Sequence, residues 1–488
     1  MIKNSHQTPE NLRTKAARGV KWTAVSTLFS TALQIIRIVV LGRLLAPSDF
    51  GLMAMMLVVT GFAGIFGEMG LGSAIIQRPK PTRNELSSLY WINVLFGAAV
   101  YLVLLAITPF VANFYSTPAL SSMLPVASLV FLFIPWGSQF RAILQKELDF
   151  KKLSLIEVSS AAIGTTLAVA LAWRGWGVWA LVYAQLAESA FRTLWLCVIG
   201  WRRPTRPFLH FSKMDLKGYL WFGLNQVGAM SINYFNSRAD QLVIGVVLGP
   251  EALGFYSMAF NLVMMPIQKI NPILTRVAFP VFAQVQHDRE RLKRGYLKML
   301  TILATVNAPV LLGFSAVAPL AIPLILGEKW TPIIPLAQIL CVYALMRSMG
   351  NPGGSLVMSI GRADIEFYWN LGLLFLVPTI VFLAGTFGKS IELVAWTLVG
   401  LQLFLWWAWY LFVIKKILGS ILKDYAITML KPFTLATIMA LITYFFVILF
   451  PSSYLFLFTT VGIGVLVYLL LNYIFNRQNL IYLTKFIK

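Results

Sequence analysis

The stretch GVKWTAVSTLFSTALQIIRIVVLGRLLAPSDFGLMAM, residues 19–55, contains the pattern that decides the fold. An apolar run covers residues 20–41, a short turn with Pro47 and Asp49 follows, and a second apolar run begins at residue 51. Because a helix crosses a bilayer in about 20 residues, this pattern predicts two membrane helices joined by a turn. The first run lacks a small-residue cleavage site, so we interpret it as a retained span and not as a secretory signal peptide.

The composition of the whole chain extends this interpretation. Of the 488 residues, 58% are hydrophobic and 12% charged, and the mean hydropathy is +0.77, well outside the usual range of soluble domains. We therefore predict an all-α polytopic membrane protein of about fourteen helices. The predicted spans are residues 20–41, 51–75, 88–112, 119–141, 153–173, 177–200, 217–248, 252–283, 296–318, 331–360, 364–385, 391–414, 427–449 and 453–475.

The basic residues indicate the orientation of these spans. The net charge is +22, and about 30 of the 40 Lys and Arg fall on one side if the N-terminus is placed in the cytoplasm. Because basic loops stay on the cytoplasmic side, we expect both termini to be cytoplasmic. In a membrane protein this charge does not indicate a nucleic-acid partner.

A faint internal repeat suggests how the spans are grouped. The sequence LGRLLAPSDFGLMAM begins at Leu41, and LGPEALGFYSM begins at Leu248; each follows a span that opens with Gly-x-x-Trp. We predict an N-lobe of six spans over residues 1–210, a C-lobe of six over 211–420 and two additional spans over 421–488. The two lobes would be related by an axis along the membrane normal.

Polar side chains form stripes along three predicted spans. Each stripe lies within about 100° of the helix circumference, at about 100° per residue. Matching polar faces in the two lobes favour a water-filled cavity between them, although hydrogen bonding between helices would also satisfy Ser, Thr and Asn. The stripe residues are Thr23, Ser26, Thr27, Ser30, Gln34 and Arg37 in the first span, Asn225, Gln226, Asn233, Asn236 and Asp240 in the seventh, and Ser257, Asn261, Gln268 and Thr275 in the eighth.

Charged residues within the spans are the candidates for function. The basic candidates for binding an anionic substrate are Arg37, Lys269, Arg276, Arg347 and Arg238. The first four have no opposite charge one turn away on their own helix, and guanidinium groups pair well with phosphate oxygens. Arg238 lies opposite the polar stripe on the helical wheel. Glu188 and Arg192, four residues apart, are predicted to form a structural ion pair.

Three acidic residues are candidates for binding a coupling ion. Asp240 lies on a polar stripe and could balance cavity arginines or bind H⁺ or Na⁺, and Glu68 and Glu157 lie nearer the cytoplasmic ends of their spans. The two cysteines, Cys197 and Cys341, lie in apolar runs, and the three histidines form no cluster, so we predict no metal site and no cofactor. No catalytic motif was found, and we predict that the protein is not an enzyme.

Several stretches resemble the polysaccharide transporter family of the multidrug/oligosaccharidyl-lipid/polysaccharide flippase superfamily. They are residues 19–55, GEMGLGSAIIQR at 67–78, QFRAILQKELDFKKLSLIE at 139–157, FPVFAQVQ at 279–286 and SIGRADIEFYWN at 359–370. The likeness is greatest to the colanic-acid and teichuronic-acid exporter group and weakens after about residue 420. It implies two six-helix lobes, alternating access around a basic central cavity, and an extra helix pair that some members use as a groove for lipid tails.

The resemblance also implies a substrate, partners and a location. We expect a flippase for an undecaprenyl-diphosphate-linked oligosaccharide in exopolysaccharide or lipopolysaccharide export, acting as a monomer in the bacterial inner membrane beside a polymerase and export machinery. A drug or cation exporter of the same superfamily is one alternative, although its cargo would favour an acidic, aromatic cavity. A membrane polymerase or ligase is another, although every predicted outside loop is short.

Overall fold

The structure is a computed structural model. It describes residues 9–68, 72, 75–76, 81–216, 219–449 and 453–476. Within these ranges the chain is helical and contains no strand. The helices are α1 Pro9–Leu44, α2 Pro47–Glu68, α3 Arg83–Phe114, α4 Leu120–Ser128, α5 Val130–Lys146, α6 Phe150–Trp173, α7 Val178–Trp201, α8 Lys213–Leu216, α9 Tyr219–Gln284, α10 Arg289–Leu326, α11 Ile333–Ser348, α12 Asn351–Ser359, α13 Ala363–Gly388, α14 Ile391–Trp409, α15 Lys415–Leu418, α16 Leu422–Leu449 and α17 Tyr454–Phe475. A 3₁₀ turn, Glu328–Trp330, precedes α11, and a π turn, Tyr410–Ile414, follows α14.

These helices agree with the predicted spans. Twelve stretches of the described residues are long and apolar enough to cross a membrane. One of them, residues 226–284, covers most of the predicted seventh span and all of the eighth. The two spans are separated at Gly249, where α9 is interrupted with φ 84° and ψ −177°. The predicted sixth span is the 24-residue helix α7. The predicted fold class, an all-α polytopic membrane protein, is confirmed.

The first compact unit comprises residues 1–238. Its most extensive helix contacts join α6 to α7, α1 to α6 and α5 to α7. One buried cluster contains Leu41 of α1 and Leu45, the residue that follows α1. They pack with Ala168 and Ala172 of α6 and with Ala180 and Ala184 of α7. Alanines allow helix backbones to approach closely, which is how helices pack in lipid without a hydrophobic driving force between them.

The second compact unit comprises residues 239–488. Here α10 packs along α16 and against α11, while α11 also packs on α14. The last helix, α17, contacts both α16 and α10, and Leu457 of α17 is buried with Val317 and Leu320 of α10. The described C-terminal helices are therefore built into this unit. The division of the chain at residues 210 and 420 stays a prediction.

The two copies of the repeat turn in different ways. In the first copy α1 continues through Gly42 and the helix break falls at residues 45–46, before Pro47. In the second copy Gly249 itself is the break, in the left-handed region that glycine adopts at little cost, and Pro250 begins the next helix. The aligned glycines Gly42 and Gly249 therefore have different structural roles.

Candidate functional site

Arg37 of α1 is paired with a carboxylate of another helix. Its Nη1 lies 3.4 Å from Oε2 of Glu188, and Nη2 of Arg192 lies 2.7 Å from Oε1 of the same residue. A Cβ at Gly164 of α6 would lie 2.9 Å from the Glu188 Cβ, so glycine makes room for the carboxylate. The predicted Glu188–Arg192 pair is present, and the three side chains together carry one excess positive charge.

In the polar stripe of α1, some residues pack against another helix and others are exposed. Ser26 is buried and accepts a hydrogen bond from Ser154 of α6 at 3.1 Å, while Thr27 bonds back to the carbonyl oxygen of Thr23 at 2.7 Å. Ser30 is half-buried and Gln34 is exposed. Ser26 therefore takes part in hydrogen bonding between helices, which was the alternative to a water-filled cavity.

The N-terminal part of α9 belongs to the first unit and packs on α2. The Tyr234 hydroxyl lies 2.9 Å from the carbonyl oxygen of Leu57, and a Cβ at Gly61 would lie 2.3 Å from this hydroxyl. Asn233 is exposed and Asn236 is half-buried. Arg238, also half-buried, is near Tyr234, with which it interacts electrostatically. Two other candidates, the side chains of Glu68 and Asn225, lie outside the described residues.

Asp240 lies near the start of the second unit and belongs to a buried polar network. Its carboxylate accepts a hydrogen bond of 2.6 Å from the Tyr256 hydroxyl and one of 2.8 Å from the backbone N–H of Gln241. Arg347 of α11 donates to the Tyr343 hydroxyl at 2.9 Å and interacts electrostatically with Asp240. The structure thus brings together two candidates that the sequence placed about a hundred residues apart, and their charges balance.

Lys269 and Arg276 lie on an exposed face of α9 in the second unit. Seven residues separate them, which places them on one side of the helix about 10 Å apart along its axis. Neither forms an ion pair with any described residue. The polar candidates Asn261 and Gln268 are also exposed.

Glu157 of α6 is paired with Arg141 of α5, at 3.2 Å between Oε1 and Nη2. Arg141 also lines a cavity of about 250 Å³ within the first unit, together with Asn93, Gln139 and Gln226. The sequence analysis did not single out Asn93, Gln139 or Arg141. The available signal was the run of polar residues Ser138, Gln139, Arg141 and Gln145 at the end of the fourth span, which resembles an ordinary polar helix end.

A second cavity, of about 500 Å³, lies within the second unit. Its lining comes from four helices and is almost wholly apolar, with Pro266 of α9, Phe314 of α10, Met439 of α16 and Leu469 of α17. A cavity of this character fits hydrocarbon chains and not a charged group.

Comparison with solved structures agrees with the fold. A multidrug resistance MATE family transporter of the MOP superfamily superimposes with a TM-score of 0.63 at 15% identity, covering 82% of this chain and 98% of that chain. At this identity the likeness concerns the fold alone.

Comparison with curated sequences gives closer relatives. The lipopolysaccharide biosynthesis protein WzxC of Escherichia coli K12 is 36% identical over 438 residues, covering 89% of this chain and 88% of that protein. The teichuronic acid biosynthesis protein TuaB of Bacillus subtilis 168 is 34% identical, covering 87% and 88%. The family described as "Polysaccharide biosynthesis protein" matches residues 40–335. The chain therefore belongs to this polysaccharide biosynthesis protein family.

Proposed function

We propose that the protein moves an undecaprenyl-diphosphate-linked oligosaccharide across the bacterial inner membrane, with both termini cytoplasmic, by alternating access around a basic cavity. The names of its relatives support this proposal, since they concern lipopolysaccharide and teichuronic acid biosynthesis, and a third, 25% identical, is the succinoglycan biosynthesis transport protein ExoT of Rhizobium meliloti. The partners would be the lipid-linked sugar, membrane lipids, and a polymerase with its export machinery.

The single observation that carries the proposal is the exposed pair Lys269 and Arg276. A charged side chain inside a membrane span is costly unless it meets water or an opposite charge, and these two have no ion pair with a described residue. A diphosphate supplies the missing negative charge, because its oxygens accept charge-assisted hydrogen bonds from ammonium and guanidinium groups. The cations in turn replace the hydration that the head group loses on leaving water.

Charge reversal of this pair tests the proposal. In cells that depend on this protein, we expect Lys269→Glu with Arg276→Glu to lower surface polysaccharide at least about 10-fold, since a hydrogen bond to a charged group is worth roughly 1.5–3 kcal/mol. The measurement is cell-surface polymer, normalised to the amount of protein in the membrane.

The matched control reverses an exposed charge outside the spans. Arg174→Glu, in the turn between α6 and α7, should leave export unchanged. Normal export by the Lys269/Arg276 double variant would contradict the proposal. Extrusion of ethidium by the unmodified protein, abolished in the double variant, would identify a drug exporter instead.

Two further assignments belong to the same proposal. Asp240 is the candidate for binding a coupling H⁺ or Na⁺, because its carboxylate is buried in the second unit and accepts a hydrogen bond of 2.6 Å from the Tyr256 hydroxyl. The apolar cavity lined by α16 and α17 is the candidate for the lipid tail, because its lining offers almost no polar surface. The Asp240 assignment is tested by transport with and without an ion gradient.

A further inference from the structure

A cavity in the first unit with a mixed polar and apolar lining is not accounted for by the cationic residues of the proposed function. We name it the Gln139 cavity, after one of its lining residues; its polar lining consists of Asn93, Ser138, Gln139, Arg141, Gln145 and Gln226. Side chains from α3, α5 and α9 meet here, with Ile65 of α2 beside them. Its volume is about 250 Å³.

Gln139 is buried with its hydrogen-bonding capacity unused. Only 4% of the residue is exposed, and neither Nε2 nor Oε1 has a hydrogen-bond partner among the residues that the structure describes. The Oδ1 of Asn93 is also buried and has no hydrogen-bond partner among the described residues, although Nδ2 of the same side chain donates to Ser138 at 2.7 Å. A buried amide without partners destabilises the fold, so its presence calls for an explanation beyond packing.

The charge of the lining indicates a neutral occupant. Among the lining residues that the structure describes, Arg141 is the charged one, and Glu157 pairs with it at 3.2 Å. The remaining polar groups are amides and a hydroxyl, which together provide donors and acceptors. Such a lining matches a group whose hydroxyls both donate and accept, and it offers little to a diphosphate.

The size of the cavity indicates one ring. Pockets for drug-sized ligands span roughly 300–1,000 Å³, and this one is slightly smaller, at about 250 Å³. Two lining residues, Ile76 and Met230, are 42% and 47% exposed, so the cavity has a rim that is accessible from outside the first unit's core.

We propose that the Gln139 cavity binds one neutral sugar ring of the cargo. The polar atoms of Gln139 and Oδ1 of Asn93 are closed off from solvent in this structure, so binding requires both side chains to turn toward the ring. The Gln139 amide then donates one hydrogen bond to a sugar hydroxyl and accepts another from it or its neighbour, and the Asn93 oxygen accepts a third. This inference rests on the proposed function, because it assumes that the cargo carries a sugar. It adds a subsite for the neutral part of the head group, separate from the cations that would hold the diphosphate.

Binding of matched lipids to the purified full-length protein in nanodiscs tests the subsite. The probes are undecaprenyl diphosphate and the same lipid carrying a single glucose or a single galactose. We expect at least one sugar-bearing lipid to bind about 10-fold tighter than the bare lipid, since two ordinary hydrogen bonds correspond to about that factor. In Gln139→Leu this advantage should fall below about 2-fold, while affinity for the bare lipid is unchanged.

Two controls separate binding from folding. Gln139→Leu replaces an unpaired buried amide by an apolar side chain of similar size, so its melting temperature should not fall below that of the unmodified protein. Gln402→Leu, on α14 of the second unit, should leave the sugar advantage intact. Gln139→Asn, which keeps the amide but retracts it, should reduce the advantage only in part.

The outcomes distinguish the two proposals. Equal affinity for all three lipids, or a sugar advantage that survives in Gln139→Leu, would overturn the subsite while leaving the flippase proposal in place. Failure of undecaprenyl diphosphate itself to bind would overturn the proposed function. A sugar advantage lost in Gln139→Leu and kept in Gln402→Leu supports both.

Discussion

Among the described residues, the charged side chains within the spans that form ion pairs do so mainly between helices. Arg37 meets Glu188, which lies 151 residues further along the chain, and Arg141 meets Glu157, at a separation of 16. Only the Glu188–Arg192 pair follows the spacing of a single helix. Because a charge in a membrane span requires a partner or water, most of these residues are explained by their neighbours in space.

The buried network around Asp240 leads to a prediction about stability. We expect Tyr256→Phe to lower the free energy of unfolding by roughly 1.5–3 kcal/mol, because the buried carboxylate then loses its hydrogen bond from the hydroxyl. Tyr256 is fully buried and lies 2.6 Å from Asp240. Thermal unfolding of the purified protein measures the effect.

An exposed tyrosine provides the control for this variant. Tyr368 is 68% exposed, so Tyr368→Phe should change stability by less than about 0.5 kcal/mol. Equal melting temperatures for Tyr256→Phe and the unmodified protein would show that the Asp240 carboxylate does not depend on this hydroxyl.

At the scale of the helices, small residues determine which elements approach closely. A Cβ at Gly97 of α3 would lie 2.4 Å from Cγ of Pro135 and 2.5 Å from the carbonyl oxygen of Phe131, both in α5. A Cβ at Gly200 of α7 would lie 2.2 Å from the ring of Phe140. These helices pack at a distance that only glycine permits, as in other membrane bundles.

The contact at Gly97 predicts the effect of a single methyl group. We expect Gly97→Ala to destabilise the protein by about 1–3 kcal/mol, because the backbone oxygen of Phe131 cannot move aside as a flexible side chain could. Gly400→Ala, in α14, adds a methyl group where nothing lies within 4 Å, and should be neutral or stabilising by up to about 1 kcal/mol.

Paired melting curves of the two glycine variants check this prediction. Both glycines lie inside helices, so the helical propensity gained from alanine is the same and the difference reports the packing contact. Similar stability of Gly97→Ala and Gly400→Ala would mean that α3 and α5 separate at no cost.

At the scale of the whole molecule, the distribution of basic residues leads to a testable orientation. The turn at Arg174 is predicted to lie outside and that at Arg362 in the cytoplasm, because the positive charge is concentrated on the cytoplasmic side. Both residues are exposed, and Arg362 pairs with the nearby, exposed Asp364, at 2.9 Å. A substitution at either turn should therefore cost little stability.

Labelling of single cysteines in intact cells measures this orientation. In a background of Cys197→Ala and Cys341→Ala, a membrane-impermeant maleimide should label Arg174→Cys in spheroplasts and Arg362→Cys only after lysis. Both cysteines are labelled after lysis if the variants are folded, which is the internal control. Labelling with the reverse order would invert the topology and remove the cytoplasmic assignment of both termini.

The chain by itself determined the class of the fold and the approximate positions of the described spans, and it predicts their orientation. It could do so because a bilayer imposes a length of about 20 apolar residues on each helix and an asymmetry on basic loops, and both are local properties of a sequence. The Glu188–Arg192 pair was predictable for the same reason, since it depends only on the spacing within one helix.

Only the tertiary structure decided which polar residues are satisfied by a neighbour and which are not. It placed Arg37 beside Glu188 and Arg347 near Asp240, left Lys269 and Arg276 exposed, and left the Gln139 amide buried without a partner in the described part of the chain. A helical wheel shows which side of a helix a residue occupies, but not which helix lies opposite. The energy of a polar group in a membrane depends on that neighbour, so the role of each candidate follows from packing and not from the sequence pattern.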